Sequence, residues 1–139
     1  MSIKTIADER ILSRLDLVSK FVDVLILKME TLRLDEEIVF GIKLCLHEAV
    51  VNAVRHGNKE KHDLSVRVVI KTEGKKITLD VTDQGRGFDF SQIPNPTTEE
   101  NIGRFHGRGI YLMKSMMDRV TFLNEGRTVR MTKVLKGGR

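Results

Sequence analysis

Residues 44–58 read LCLHEAVVNAVRHGN, and this stretch constrains the fold more than any other. It belongs to a helix expected from about Glu36 to His56. Asp35 stands at the N-cap position, and the acidic Glu36 and Glu37 suit the positive end of the helix dipole. At ~100° per residue, with Ile42 set at zero, one arc collects Ile38, Val39, Cys45, Leu46, Ala49, Val50 and Ala53. That arc is a core face. Glu48 and Asn52 fall about 40° apart at its edge, with Arg55 just beside them. A carboxylate and an amide one turn apart therefore project the same way, where a core helix meets a cleft. A carboxylate at a core edge is costly unless a cation or a polar ligand compensates it. Gly57 reads as a C′ glycine that ends the helix.

The neighbouring segments follow from their periodicity. Residues 3–6 read as a short first strand. Ile11, Leu15, Val18, Val22, Leu25 and Met29 recur at spacings of four and three, which predicts a helix over residues 11–31 packed on a sheet. Residues 32–34 connect it to the next helix. Residues 64–72 and 76–82 are β-branched runs joined by a turn at Glu73-Gly74, and Ile77, Leu79 and Val81 alternate as in a strand buried on one face. From Gln84 to Phe105 no period holds. Pro94, Pro96, several glycines and the polar run NPTTEEN mark a long loop, read as a lid over about residues 84–106. Residues 107–119 form a further helix, with Ile110, Met113, Met116 or Met117, and Val120 on its inner side. Residues 120–124 and 128–135 close the chain as a hairpin turning at Glu125-Gly126. Hairpins impose antiparallel pairing. The expected fold is therefore α+β: a two-layer α/β sandwich, mostly antiparallel, with helices on one face.

A chain of 139 residues makes one domain, taken here as residues 1–139, and can bury a core without metals or disulfides. Cys45 is the sole cysteine, so no intrachain disulfide forms, as in a reducing cytoplasm. Its expected role is that of a small core residue. No apolar run reaches the ~18 residues of a membrane span, and MSIKTIADER lacks a secretory core. The net charge is +5, and residues 121–139 carry five basic side chains (Arg127, Arg130, Lys133, Lys136, Arg139) against Glu125. A nucleic-acid patch is one explanation. A charged edge that discourages sheet aggregation is the favoured one, because the chain has no Trp and one Tyr to stack on bases.

Asp83-Gln-Gly85-Arg-Gly87-Phe88 directly follows a strand, and His106-Gly107-Arg108-Gly109-Ile110 opens a helix. Each alone is weak. Asp before Gly is ordinary turn chemistry. Glycines at a helix start let the backbone and its free N–H groups approach an anion. With Glu48-xxx-Asn52-Ala53-xx-His56-Gly57 and the closing Gly126-Arg127-Thr128-Val129, they make a specific set in a specific order. That set resembles the GHKL superfamily of ATPases and kinases, which includes gyrase, heat-shock chaperone ATPases, histidine kinases and MutL. Within it, E-A-V-x-N-A-x-x-H-G in a lone domain most resembles the bacterial anti-sigma-factor serine kinases. The second glycine box is shorter here than the superfamily's longer Gly-rich run.

The resemblance implies ATP and Mg²⁺ as cofactors. It implies Asn52 as the Mg²⁺ ligand, through its side-chain oxygen, and Glu48 as general base for phosphoryl transfer. Asp83 would accept a hydrogen bond from the adenine amino group, with Gly85 and Gly87 beside it and the base against Gly87. Gly107, Arg108 and Gly109 would hold the phosphates, and Thr128 would lie near adenine. Arg55 has two readings, a phosphate contact or a solvated helix end. His56 reads as a cap or structural residue, and His62 and His106 have no metal-ligand spacing. The implied partners are an anti-sigma-factor antagonist phosphorylated on serine and a sigma factor, with a homodimer as the implied assembly. The alternatives are an ATP-binding, partner-switching module without phosphotransfer and, least favoured, a nucleic-acid binder.

Overall fold

The computed structural model describes residues 2–85 and 108–136; of Arg108 it describes the backbone only. Five strands form one antiparallel sheet. They are β1 (Ile3–Leu12), β2 (Ser65–Glu73), β3 (Lys76–Thr82), β4 (Arg119–Leu123) and β5 (Thr128–Val134). Their spatial order is β1-β2-β3-β5-β4. Three α-helices complete the described fold: α1 (Val18–Lys28), α2 (Glu36–Asn52) and α3 (Arg108–Met116). The α+β sandwich expected from the sequence is the architecture observed.

Alternation builds the core. Val66, Val68 and Ile70 of β2 and Ile77, Leu79 and Val81 of β3 are buried on one sheet face. Val18, Val22 and Leu25 of α1 and Ile42, Cys45, Leu46, Ala49 and Val50 of α2 meet them. The two helices run antiparallel, with Asp23 paired to Lys43 and Ser19 beside His47. Burial pushes the Cys45 thiol up to about 11, so it stays an inert core thiol. The far sheet face is polar, with fork-shaped ion pairs from Arg67 to Asp8 and from Arg130 to Asp80.

Several expectations are refined. The first strand runs to Leu12, not Ile6, and α1 starts at Val18, not Ile11. Ile11 is buried, but from β1, where it pairs with Val66. A register shift between Thr5 and Ala7 breaks the period of two, which hides the strand from a periodicity search. A turn at Ser13 and a 3₁₀ turn over Leu15–Leu17 then lead into α1. Asp35 holds the N-cap position, but its side chain makes no capping hydrogen bond; its backbone carbonyl accepts from Val39.

Gly57 is not a left-handed helix terminator. After Asn52 the helix widens into a π-turn over Ala53–Gly57, closed by the Asn58 N–H donating to the Ala53 carbonyl at 2.7 Å. The reversal is made by Lys59 and Glu60, both with positive φ. Glycine is needed at position 57 for another reason: a Cβ there would run into the Asp83 carboxyl group.

Leu46 and Ser13 are both fully buried, with opposite consequences. Leu46→Ala should cost about 2–5 kcal/mol through a cavity in the core. The Ser13 hydroxyl has no hydrogen-bond partner. Ser13→Ala should therefore be neutral or stabilising by up to about 1 kcal/mol. Urea unfolding of the two variants checks both values.

Candidate nucleotide site

A cavity of about 520 Å³ opens between α2, the ends of β3 and β5, and the start of α3. Val81 and Val129 face each other across the β3–β5 ladder and form its floor. Ile110 and Met113 of α3, Phe122 of β4, and Ala49 and Ala53 of the α2 side add apolar walls. Polar groups enter at Asn52, His56, Lys59, Asp83 and Arg127. This is the usual make-up of a small-molecule site: apolar walls and a few placed polar atoms.

One end is built around Asp83. Its backbone N–H donates to the Arg127 carbonyl at 2.9 Å, and its Oδ1 accepts from the Gly85 N–H at 2.8 Å. Between them, the Gln84 N–H donates to Asn58 Oδ1 at 2.7 Å. Asn58 is buried, and its Nδ2 donates to the Ser65 carbonyl at 2.9 Å. Gln84 Oε1 accepts from the Ser65 N–H at 2.6 Å. The backbone of Gly85 lies against the carbonyl of Gly57, leaving no room for a Cβ at position 85. Burial raises the Asp83 pKa, opposed by the Gly85 N–H and the Arg127 charge. Burial lowers the pKa of His56, and Arg55 lowers it further.

The other end is built around Gly109. A Cβ on this residue would stand 2.8 Å from Asn52 Nδ2 and 2.9 Å from Glu48 Oε2. The first turn of α3 therefore rests on the two polar side chains that α2 presents. Among the described residues, no group of three or more His, Cys, Asp or Glu is arranged to hold a metal ion. A divalent cation here would draw oxygen ligands mainly from a bound ligand and water.

Of the residues singled out in the sequence, Glu48, Asn52, Asp83, Gly85 and Gly109 gather along this cleft. Arg55 is exposed and is not part of the cavity wall. Thr128 is buried, but its Oγ1 pairs with Thr82 Oγ1 at 2.8 Å and accepts from Asn124 Nδ2 at 2.8 Å. Strand alternation turns it to the face opposite Val129, so it does not line the cavity. Gly87, Gly107, the Arg108 side chain and nearly all of the expected lid over 84–106 lie outside the described residues. Sequence reasoning missed Asn58, Lys59 and Arg127. Asn58 carried no usable signal, because its partners lie far along the chain. The Gly126-Arg127-Thr128 motif did mark the Arg127 position.

The sequence matches the histidine kinase-like ATPase domain over residues 11–133. The chain belongs to that family. It is 37% identical over 102 residues to the serine-protein kinase RsbW of Staphylococcus aureus strain bovine RF122, and equally to that of strain MRSA252. The protein of the same name from strain JH9 is 36% identical. Each alignment covers 68% of this chain and 64% of the relative, so the chain spans less than two thirds of the relatives' length. The cavity suits the ligand of this ATPase-domain family. The cavity joins apolar walls to the Asp83 carboxyl group at one end and to Asn52, packed under Gly109, at the other. No helix among the described residues is long and apolar enough to cross a membrane.

The raised Asp83 pKa has a measurable consequence. The folded protein keeps a proton on Asp83 at pH values where the unfolded chain has lost it. Asp83 therefore costs stability progressively as pH rises from the ordinary carboxylate value to its higher folded value. Asp83→Asn should gain stability over wild type across that window and hold the gain above it. Unfolding curves of both proteins at several pH values check this; a pH-independent difference contradicts it.

Proposed function

We propose that this protein is an ATP-dependent serine kinase of the anti-sigma-factor type, which phosphorylates a small antagonist protein and exchanges it for a sigma factor. Gly109 carries the assignment. Its lack of a side chain brings the start of α3 to within van der Waals reach of Glu48 and Asn52, and the first turn of a helix is suited to receive an anion. That arrangement suits a phosphate chain, a metal ligand and an acid–base group at one point. The serine-protein kinase names of the relatives agree with it.

Bound Mg-ATP supplies the transferable phosphoryl group and part of the charge neutralisation. The protein supplies the rest by position. Asn52 offers its amide oxygen to the cation. Glu48, one turn earlier on α2, takes the proton from the acceptor hydroxyl. Asp83 accepts a hydrogen bond from the adenine amino group, which guanine cannot reproduce. Val81, Val129 and Met113 shield the base from water.

The two polar residues of α2 should separate in a test. Asn52→Ala should weaken binding of Mg-ATP by tenfold or more, a loss of about 1.4 kcal/mol. Glu48→Ala should leave binding within about threefold and slow transfer to an antagonist serine by about 10²–10⁴. Calorimetric titration and a labelled-ATP transfer assay read the two effects. Wild-type affinity in Asn52→Ala would remove the metal-ligand assignment. Tight binding by wild type with no transfer would favour a module that only binds ATP.

A further inference from the structure

Arg127 takes no part in the chemistry proposed above, yet it makes an unusual set of contacts. Its backbone carbonyl accepts from the Asp83 N–H at 2.9 Å. Its side-chain Nε donates to the Gly85 carbonyl at 2.8 Å. One residue just before β5 thus grips both ends of the Asp83–Gly85 turn. The guanidinium is itself anchored. Its Nη1 lies 2.9 Å from Glu125 Oε1 and 3.3 Å from the Asn124 carbonyl, both in the β4–β5 turn. That turn holds Asn124, Glu125 and Gly126 all at positive φ. Asn58 holds the middle of the Asp83–Gly85 turn from the opposite side, through the Gln84 N–H. Arg127 also lines the cavity beside Asp83.

We infer that Arg127 is a positioning residue for nucleobase selection: it locks the Asp83–Gly85 turn to the β4–β5 turn and so aims the Asp83 carboxylate at the exocyclic amine of the base. This rests on the reading of the cavity as an ATP site and assigns within it a residue outside the adenine contact itself. The Nε bond fixes the Gly85 carbonyl, on the residue whose N–H donates to Asp83 Oδ1. The positive charge next to Asp83 opposes burial and favours its ionised, accepting form. Asp83 also shares the cavity with His56 and Lys59 from the end of α2. These two stand on another segment of the chain, whereas the Gly85 carbonyl accepts from Arg127 Nε.

The contrast between ATP and inosine triphosphate isolates this role, because inosine replaces the amine with a carbonyl and loses the donor. Affinities of both nucleotides are measured for wild type, Arg127→Ala and Arg127→Met. Arg127→Met keeps the apolar stem and serves if the shorter variant does not fold. Melting temperatures report integrity. Wild type should prefer ATP, and the variants should lose about tenfold of that preference, mostly through weaker ATP binding. A variant that keeps the wild-type ratio overturns the inference. So does one that loses both nucleotides in equal proportion, since a general structural role would do that. Wild type that binds neither nucleotide would instead overturn the reading of the cavity, which separates the two failures.

Discussion

The backbone of Gly85 rests on the carbonyl of Gly57, and neither position can carry a side chain. This contact fixes where the end of α2 meets the end of β3. An added Cβ at position 85 would strike main-chain atoms, which cannot swing aside as a flexible side chain can. The surrounding polar groups then follow. With the two segments so close, Asn58 can reach the Gln84 N–H and the Ser65 carbonyl at once. A buried asparagine bridging three parts of the chain is affordable only because its amide is used on both sides.

The same contact sets the length of the cleft. Helix α2 and its π-turn form one wall, with Asn52 near one end and Gly57, against Asp83, at the other. Five residues of helix rise about 7 Å, so the polar pair on α2 and the carboxylate after β3 are held at a separation set by backbone geometry. The purine-facing end and the phosphate-facing end in the proposed function are thus two points on one rigid element. Exposed ion pairs on the far side of the sheet, such as Arg67 with Asp8, add little to this frame.

The parts legible in the sequence were those where one rule dominated. The α2 face and the alternation of Ile77, Leu79 and Val81 each obey a single period and are present, while the hairpin turn expected at 73–74 falls one residue later, at Gly74-Lys75, because Glu73 still pairs with Lys76. Glu48 and Asn52 stood out because polar groups at a core edge break the pattern around them. β1 was hidden by its register shift, and Ile11 was credited to a helix because its spacing to Leu15 and Val18 fits by coincidence. The reason for Gly57 was also out of reach, since its neighbour Asp83 is close only after folding. Asn58 acts through main-chain partners, which leave no mark on composition or spacing, and the motif that marked the Arg127 position did not reveal its bond to the Gly85 carbonyl.

Strand order carries a last consequence. β5 lies between β3 and β4, so the last of the described strands in sequence occupies an interior place in the sheet. Val129 supplies half of the cavity floor, and Arg127 supplies the carbonyl that receives the Asp83 N–H. During synthesis, a nascent chain that has released α2, β2 and β3 already owns Glu48, Asn52 and Asp83, but only the Val81 half of the floor beneath them. The ladder from β3 to β5 spans a long intervening segment, and such non-local pairings form late. The cleft therefore comes into being as a whole only after β5 has inserted, and a ribosome-bound fragment ending before Thr128 lacks half of its floor.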